Sequence, residues 1–422
     1  MSDIEKTSTA YYIALSSAIG TANKCTPKIL YNFGSARNFI ESGFDAWKSV
    51  GLHKSRIDKL KSAEADIERA EKIMDYCAKK GYKIITVESP EYPERLKRIP
   101  DFPLVLYIDG TLPQIDDEVA IAVVGTRNAS NYGTKVAHII SSGLVKGGAM
   151  IVSGGAMGID SVAHKAALIN GAKTVAVLGG GFDSGYLVSN KELRKEITKN
   201  GAVITEFEPG LKASKFTFPV RNRIISGLCL GTVVIEAGIK SGSLITAEHA
   251  LEQGRDVFAA PGSVISPSFE GTNKFLREGA KPVFSAVDVL EEYTNLYPHK
   301  INLNNIPPLA TDLDKYHTER NKEKEQKQKQ KTNKITANEN KTDFDLDEQI
   351  PTKPKVKKVL IEGVSEGAKI VYEKLTFEPT LFDDLLITTD LDTDILARSL
   401  TELEIYGMIE STSGNKYVIK SE

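Results

Sequence analysis

Cysteine is scarce in this 422-residue chain. The three present, Cys25, Cys77 and Cys229, lie too far apart for a zinc cluster or a disulfide framework. They fit a reducing cytoplasm. An excess of one charge is lacking too: 54 Lys and Arg against 56 Asp and Glu leave a formal net charge of -2. Any nucleic-acid surface must therefore be a local patch. No apolar run nears the roughly 20 residues of a membrane helix. The start, Met1-Ser2-Asp3-Ile4-Glu5-Lys6, has no basic-then-apolar signal pattern. A soluble cytoplasmic protein without a membrane partner is expected. Several catalytic signatures are also missing. There is no Gly-x-x-x-x-Gly-Lys-Ser/Thr and no His-Glu-x-x-His, no Gly-x-Ser-x-Gly elbow occurs within the β/α alternation, and the first βα loop lacks Gly-x-Gly-x-x-Gly. These gaps argue against a P-loop NTPase, a zincin, a serine hydrolase and a dinucleotide site. His138 and His164 read as helix-face residues, and no metal or cofactor is expected.

What is present is a change of pattern along the chain. Residues 1–80 read as short helices, with Tyr11, Leu15, Ala18 and Ile19 at helical spacing and Gly20, Gly34, Gly43 and Gly51 as punctuation. This module is either a nucleic-acid binder or a brace, and the lack of charge asymmetry favours the brace. Two strands, Ile84–Val87 and Leu104–Ile108, follow. Then β/α alternation occupies about 119–292, with apolar strands at Val119–Val124, Met150–Ser153, Thr174–Leu178, Ala202–Thr205, Thr232–Glu236 and Asp256–Ala260. Continuous apolar strands between helices predict a mostly parallel sheet covered on both faces. Ligands of such sheets sit beyond the carboxyl ends of the strands. Residues 299–364 are rich in Lys, Glu, Gln and Asn and read as a polar charged linker. Residues 365–422 predict three helices and a hairpin around Gly414-Asn415, a winged helix.

The loops after the strands carry the candidate site. Gly125-Thr126-Arg127 follows the first strand of the alternation, Ser153-Gly154-Gly155 the second, Gly179-Gly180-Gly181 the third, and Ser241-Gly242-Ser243 opens a helix after the fifth. Four such loops in one sheet predict an extended polyanion groove. The stretch Lys215-Phe216-Thr217-Phe218-Pro219-Val220-Arg221-Asn222-Arg223 adds cations and aromatic rings at another helix start. Phosphates call for cationic forks and free N–H groups; unpaired bases call for a ring to stack on. The competing reading is a surface turn whose phenylalanines plug the core and whose arginines form structural ion pairs. Asp160 and Glu236 occupy loop positions where a general acid or base would act, with a helix cap as the plainer role.

These motifs resemble the DNA-processing protein A family. Gly125-Thr126-Arg127 with Ser130, Tyr132 and Gly133 is similar to its opening motif. Ser153–Ala156 with Gly158–Asp160, Phe218-Pro219 with Arg221–Arg223, Ser241–Ala247, Gly254–Val257 and Pro261-Gly262 also match, in order, over roughly 120–290. The resemblance implies an α/β fold: a helical domain similar to a sterile alpha motif over 1–80, an extended Rossmann-like domain over 81–298, and the winged helix. It implies single-stranded DNA binding without hydrolysis, protection of incoming strands in natural transformation, displacement of single-strand-binding protein, RecA loading and a homodimer. Arg127 is then the phosphate clamp, Lys215 a cation and Phe218 the stacking ring. Arg221 and Arg223 join them on phosphates, and the Gly and Ser loops and Asn222 line the groove. Thr126 replaces a serine, Met157 stands where many members have arginine, Thr272 replaces a serine, and the proline usual after Tyr186 is missing.

Two rivals remain. One is a nucleotide phosphoribohydrolase on the same fold, because Gly231-Thr232-Val233-Val234-Ile235-Glu236 echoes a Gly-Thr-x-x-Glu element. The other is a transcription regulator acting through the winged helix. The acidic residues Asp383, Asp384, Asp390, Asp392 and Asp394 disfavour duplex reading there, leaving that segment to contact protein or modulate the groove.

Overall fold

The computed structural model describes residues 3–185, 190–308, 364–375, 380–389, 391–412 and 416–420. They fall into two compact units, one containing the described residues up to Pro308 and the other those from Val364.

In the first unit nine strands form one sheet: β1 (Lys83–Thr86), β2 (Val105–Gly110), β3 (Val119–Val124), β4 (Ala149–Ser153), β5 (Thr174–Val177), β6 (Gly201–Thr205), β7 (Gly231–Val234), β8 (Asp256–Ala259) and β9 (Lys281–Pro282). The order is β1-β2-β6-β5-β4-β3-β7-β8-β9. β1 and β2 pair antiparallel with each other and β2 with β6; the other pairings are parallel. The apolar runs are explained by burial on both faces. Along β3, Ala120, Ala122 and Val124 enter one hydrophobic cluster, whereas Val119, Ile121 and Val123 enter the other. With side chains alternating at a period of two, a strand covered by helices on both sides has no polar position to spare.

The chain winds from β3 through β4 and β5 to β6, then returns to place β7 on the opposite side of β3. Strand order reverses there, so the loops at the carboxyl ends of β3 and β7 splay apart and leave a crevice. Thr126 N–H donates to the Glu236 carbonyl at 2.7 Å, tying the two loops at its base.

Six helices precede β1. Tyr12, Leu15, Ile29 and Phe39 share a cluster with Ile85, Leu106 and Tyr107, so the helical segment and the sheet have one continuous core. The expected linker starts too early at 299. Ile301, Leu303 and Ile306 pack on the second cluster, Asn302 N–H donates to the Gly147 carbonyl at 3.1 Å, and Lys300 pairs with Glu118 at 3.1 Å. The rest of the expected linker, from residue 309 to 363, lies outside the described residues.

The second unit has helices Glu366–Lys374, Phe382–Thr389 and Thr393–Ile405, with strands β10 (Thr380–Leu381), β11 (Ile409–Thr412) and β12 (Lys416–Ile419) in the order β10-β12-β11. This is a winged helix, with one short strand more than the sequence suggested; the Gly414-Asn415 turn lies outside the described residues. Val371, Leu375, Leu385, Leu396, Leu400 and Leu403 form its core. Among the described residues no helix is long and apolar enough to cross a membrane.

Candidate nucleic-acid interface

Helix Thr217–Gly227 crosses from β6 to β7 along the crevice. Phe218, Arg221, Asn222 and Ile225 sit at offsets of zero, three, four and seven, which is one face of a helix, and all four line a cleft of about 420 Å³. Gly125, Thr126 and Arg127 close it from the β3 loop, Lys215 from the turn before the helix, and Ser241, Gly242 and Ser243 from the loop after β7. Ten of the fourteen candidate residues therefore share one cavity. Val124, Ala156, Asp160, Pro219, Ile245 and Thr246 complete the lining, so a carboxyl group also borders the cleft.

The β3 loop is held tightly. Ser130 caps helix Asn131–Lys146 by accepting from Gly133 N–H at 3.0 Å. Glu236, fully buried, accepts from Ser130 N–H and Oγ at 3.0 and 2.9 Å. Its role is thus to fix the loop, and it does not line the cleft. Gly158 has φ of 75°, and a Cβ there would meet the Thr126 and Arg127 carbonyls at 2.3 and 2.5 Å. Only glycine lets the β4 loop slide beneath Arg127 in this way.

Arg127 is exposed, and its guanidinium carbon lies 4.8 Å from the Phe218 ring centroid. This cation–π contact orders both residues at the mouth. Lys215 is also exposed. Asn222 donates to the Gly242 carbonyl at 3.0 Å, holding the start of helix Gly242–Glu252 against the cleft. Ser241 caps that helix, its Oγ lying 2.8 Å from Ser243 Oγ. Hydroxyls and the helix N-terminus with its partial positive charge thus face the same space as the two exposed cations.

Four candidates are placed otherwise. Arg223 is 1% exposed and does not line the cleft. Its Nη2 donates to both Glu206 oxygens at 2.7 and 2.6 Å, and its Nε faces Asp101 at 3.5 Å. Helical geometry explains this: two residues beyond Arg221 is a turn of about 200°, onto the opposite face. Ser153 is fully buried and its hydroxyl donates to the Val123 carbonyl at 2.6 Å. Gly154 and Gly155 stand behind the lining. The Gly154 carbonyl accepts from Arg221 at 2.7 Å, and the Gly155 carbonyl accepts from Asn190 at 3.0 Å.

At Ala156 and Gly154 the β4 loop turns its amides to an internal anion. The Asp160 carboxylate accepts from the Ala156 amide at 3.3 Å, with the Gly154 amide and Ser153 close enough to favour its charged form. Burial pushes its carboxyl above the ordinary range, against the pull of Arg221 and of these donors. Arg221 is itself pinned, donating to Gly154, Val177 and Asn222. It shapes the floor of the cleft, whereas Arg127 and Lys215 form its cationic rim.

A residue underrated by sequence reasoning stands at that rim. Phe216 is 73% exposed, with the Lys215 ammonium 5.2 Å from its ring centroid. Among the described residues no three His, Cys, Asp or Glu side chains gather as a metal site.

The family described as DNA recombination-mediator protein A matches residues 83–294, and the DprA winged helix domain matches residues 358–415. The chain is similar to the DNA processing protein DprA of Streptococcus pneumoniae, at 47% identity over 202 residues, which cover 48% of this chain and 71% of that relative. It is 29% identical over 419 residues to the protein Smf of Synechocystis, covering 97% of this chain and 98% of the other. The X-ray structure of DNA processing protein A from Streptococcus pneumoniae superposes with a TM-score of 0.56 and 37% identity, over 67% of this chain and 98% of that one.

Proposed function

Because the chain belongs to the DNA recombination-mediator protein A family, we propose that it is a non-catalytic mediator that holds single-stranded DNA in the cleft between the β3 and β7 loops. One observation carries this reading: Arg127, Lys215, Phe218 and the Ser241–Ser243 helix start converge on one cavity. Phosphates would meet Arg127, Lys215 and the amides of that helix start. Arg221 and Asn222 would hold the floor in shape, and the Gly125–Thr126 backbone would let the strand approach. Bases would stack on aromatic rings at the rim, with little sequence preference, since every base offers a π face. In the cell this protein would work in the cytoplasm as a homodimer. It would protect incoming strands in natural transformation, displace single-strand-binding protein and load RecA.

The test is an electrophoretic shift with oligothymidine. A charge-assisted hydrogen bond is worth about 1.5–3 kcal/mol, so Arg127→Ala should bind at least about tenfold more weakly. Binding as tight as the parent's would refute the site. The phosphoribohydrolase rival rests on Glu236, whose carboxylate is engaged by Ser130. Free base released from nucleoside monophosphates would favour that rival.

A further inference from the structure

The cleft reading assigns Lys215 to a phosphate but does not say which ring takes a base; its neighbour Phe216, on the turn before helix Thr217–Gly227, is an exposed candidate. A single exposed apolar side chain is common on protein surfaces. Three observations set this one apart. Phe216 is 73% exposed and lies outside the cleft lining, while its immediate neighbour Lys215 lines the cleft. The Lys215 ammonium lies 5.2 Å from the ring centroid, placing a cation beside an open aromatic surface. The turn beneath is pinned. Phe216 N–H donates to Ser214 Oγ at 3.3 Å, Thr217 N–H to the Ser214 carbonyl at 3.1 Å, and Thr217 Oγ1 to the carbonyls of Gly179 and Ser214. A ring on a fixed turn loses little freedom when something covers it.

Phe218 differs. It is partly buried, and the Arg127 guanidinium already lies over its ring at 4.8 Å. A base stacking on that face would have to displace the cation that is to hold its phosphate.

We infer that Phe216 is a base-stacking platform at the mouth of the cleft, and that Lys215 beside it takes the adjoining phosphate. The inference rests on the single-strand reading of the cleft and deepens it. A ring standing clear of the protein accepts a base whose faces are open and refuses one enclosed in a duplex stack, so this residue would favour single strands over duplex.

Phe216→Ala should bind oligothymidine about tenfold more weakly than the parent and lose less affinity for duplex of the same length. An oligonucleotide carrying abasic sites should show no such difference between parent and variant. Phe216→Trp should keep parental affinity, and its indole emission should be quenched as DNA is added; the native Trp47 is buried and gives a constant background. The platform is overturned if Phe216→Ala binds oligothymidine within about twofold of the parent while Arg127→Ala does not, or if the Phe216→Trp emission is unchanged at saturating DNA. A parent that fails to bind oligothymidine at all overturns the cleft reading as well.

Discussion

Replacing Arg223 by methionine should damage folding and leave the cleft alone. Arg223 and Glu206 are 1% and 5% exposed, and two hydrogen bonds of 2.7 and 2.6 Å join them. Asp101 at 3.5 Å adds a second, weaker attraction. The pair is not ideally satisfied, since Arg223 Nε and Nη1 have no hydrogen-bond partner, and its net worth against an apolar pair is small. Removing one member is a different matter. The methionine variant keeps most of the volume but strands a buried carboxylate, and such a loss costs about 3–5 kcal/mol. That is a large part of the 5–15 kcal/mol that usually holds a domain together. The assay is urea denaturation followed by the emission of Trp47, whose indole N–H donates to the Phe39 carbonyl inside the helical segment at 2.8 Å.

The pH dependence gives that prediction a sign. Burial raises the Glu206 carboxyl above its ordinary 4.5, against the opposing pull of Arg223. A folded-state value above the unfolded one means that the ionised group opposes folding at neutral pH. That opposition fades as pH falls through the folded value and is gone below about 4.5. Without Arg223 the folded value rises further, so the deficit of Arg223→Met should be largest at pH 7.5 and shrink by pH 5.5. Adding Glu206→Leu should restore most of the loss. A deficit below about 1 kcal/mol, or one independent of pH, refutes the argument. So does a folded Arg223→Met that loses as much oligothymidine affinity as Arg127→Ala.

Three further outcomes are expected. Lys215→Ala should lower the slope of log affinity against log salt by about 0.7, the contribution of one neutralised phosphate on a single strand; an unchanged slope in titrations between 50 and 200 mM salt, concentrations chosen to bracket the usual working range, would remove Lys215 from the phosphate path. Gly158→Ala should destabilise by about 2–5 kcal/mol, combining strain at φ of 75° with the clash at the Thr126 carbonyl, as read from its denaturation midpoint. His164 is fully buried, its Nδ1 bonded to Thr174 Oγ1 at 2.8 Å and its Nε2 unpartnered. Burial, aided by the nearby Arg221 charge, pushes it from 6.5 down to about 3. Stability is therefore lost as pH falls from 6.5 towards 3, by about 1.4 kcal/mol per unit. His164→Gln should lack that slope, and parallel stability curves between pH 6.5 and 4.5 would refute it.

The strands were legible because burial on both faces erases polar positions, as along β3 and β4. β9 and β10 were not, since two residues carry no period. The packed segment after 298 was hidden for another reason. Ile301, Leu303 and Ile306 are spaced by asparagines and followed by two prolines, a pattern too short to set a helical or strand period, so their partial burial depends on a surface supplied by helix Asn131–Lys146 and its neighbours. The β4 loop misled through its composition. Small residues do permit an anion to approach, but the anion is the chain's own Asp160, four residues beyond Ala156.

The two arginines flanking Asn222 make the sharpest case, because the information was present and was not used. Once helix Thr217–Gly227 is granted, Arg221 and Arg223 cannot face the same space. Phe218 and Arg221 share a face; Arg223 belongs with Ser226 and the core. One arginine is thus withdrawn to an internal carboxylate pair, and the other spends its donors on carbonyls beside Asp160. On the proposed reading, binding would then fall to Arg127 and Lys215 at the rim, with an aromatic ring beside each. A chain of net charge -2 would thereby address a polyanion through two exposed cations near a helix start, each with a π surface at hand, so that stacking makes up for the charge that the protein as a whole lacks.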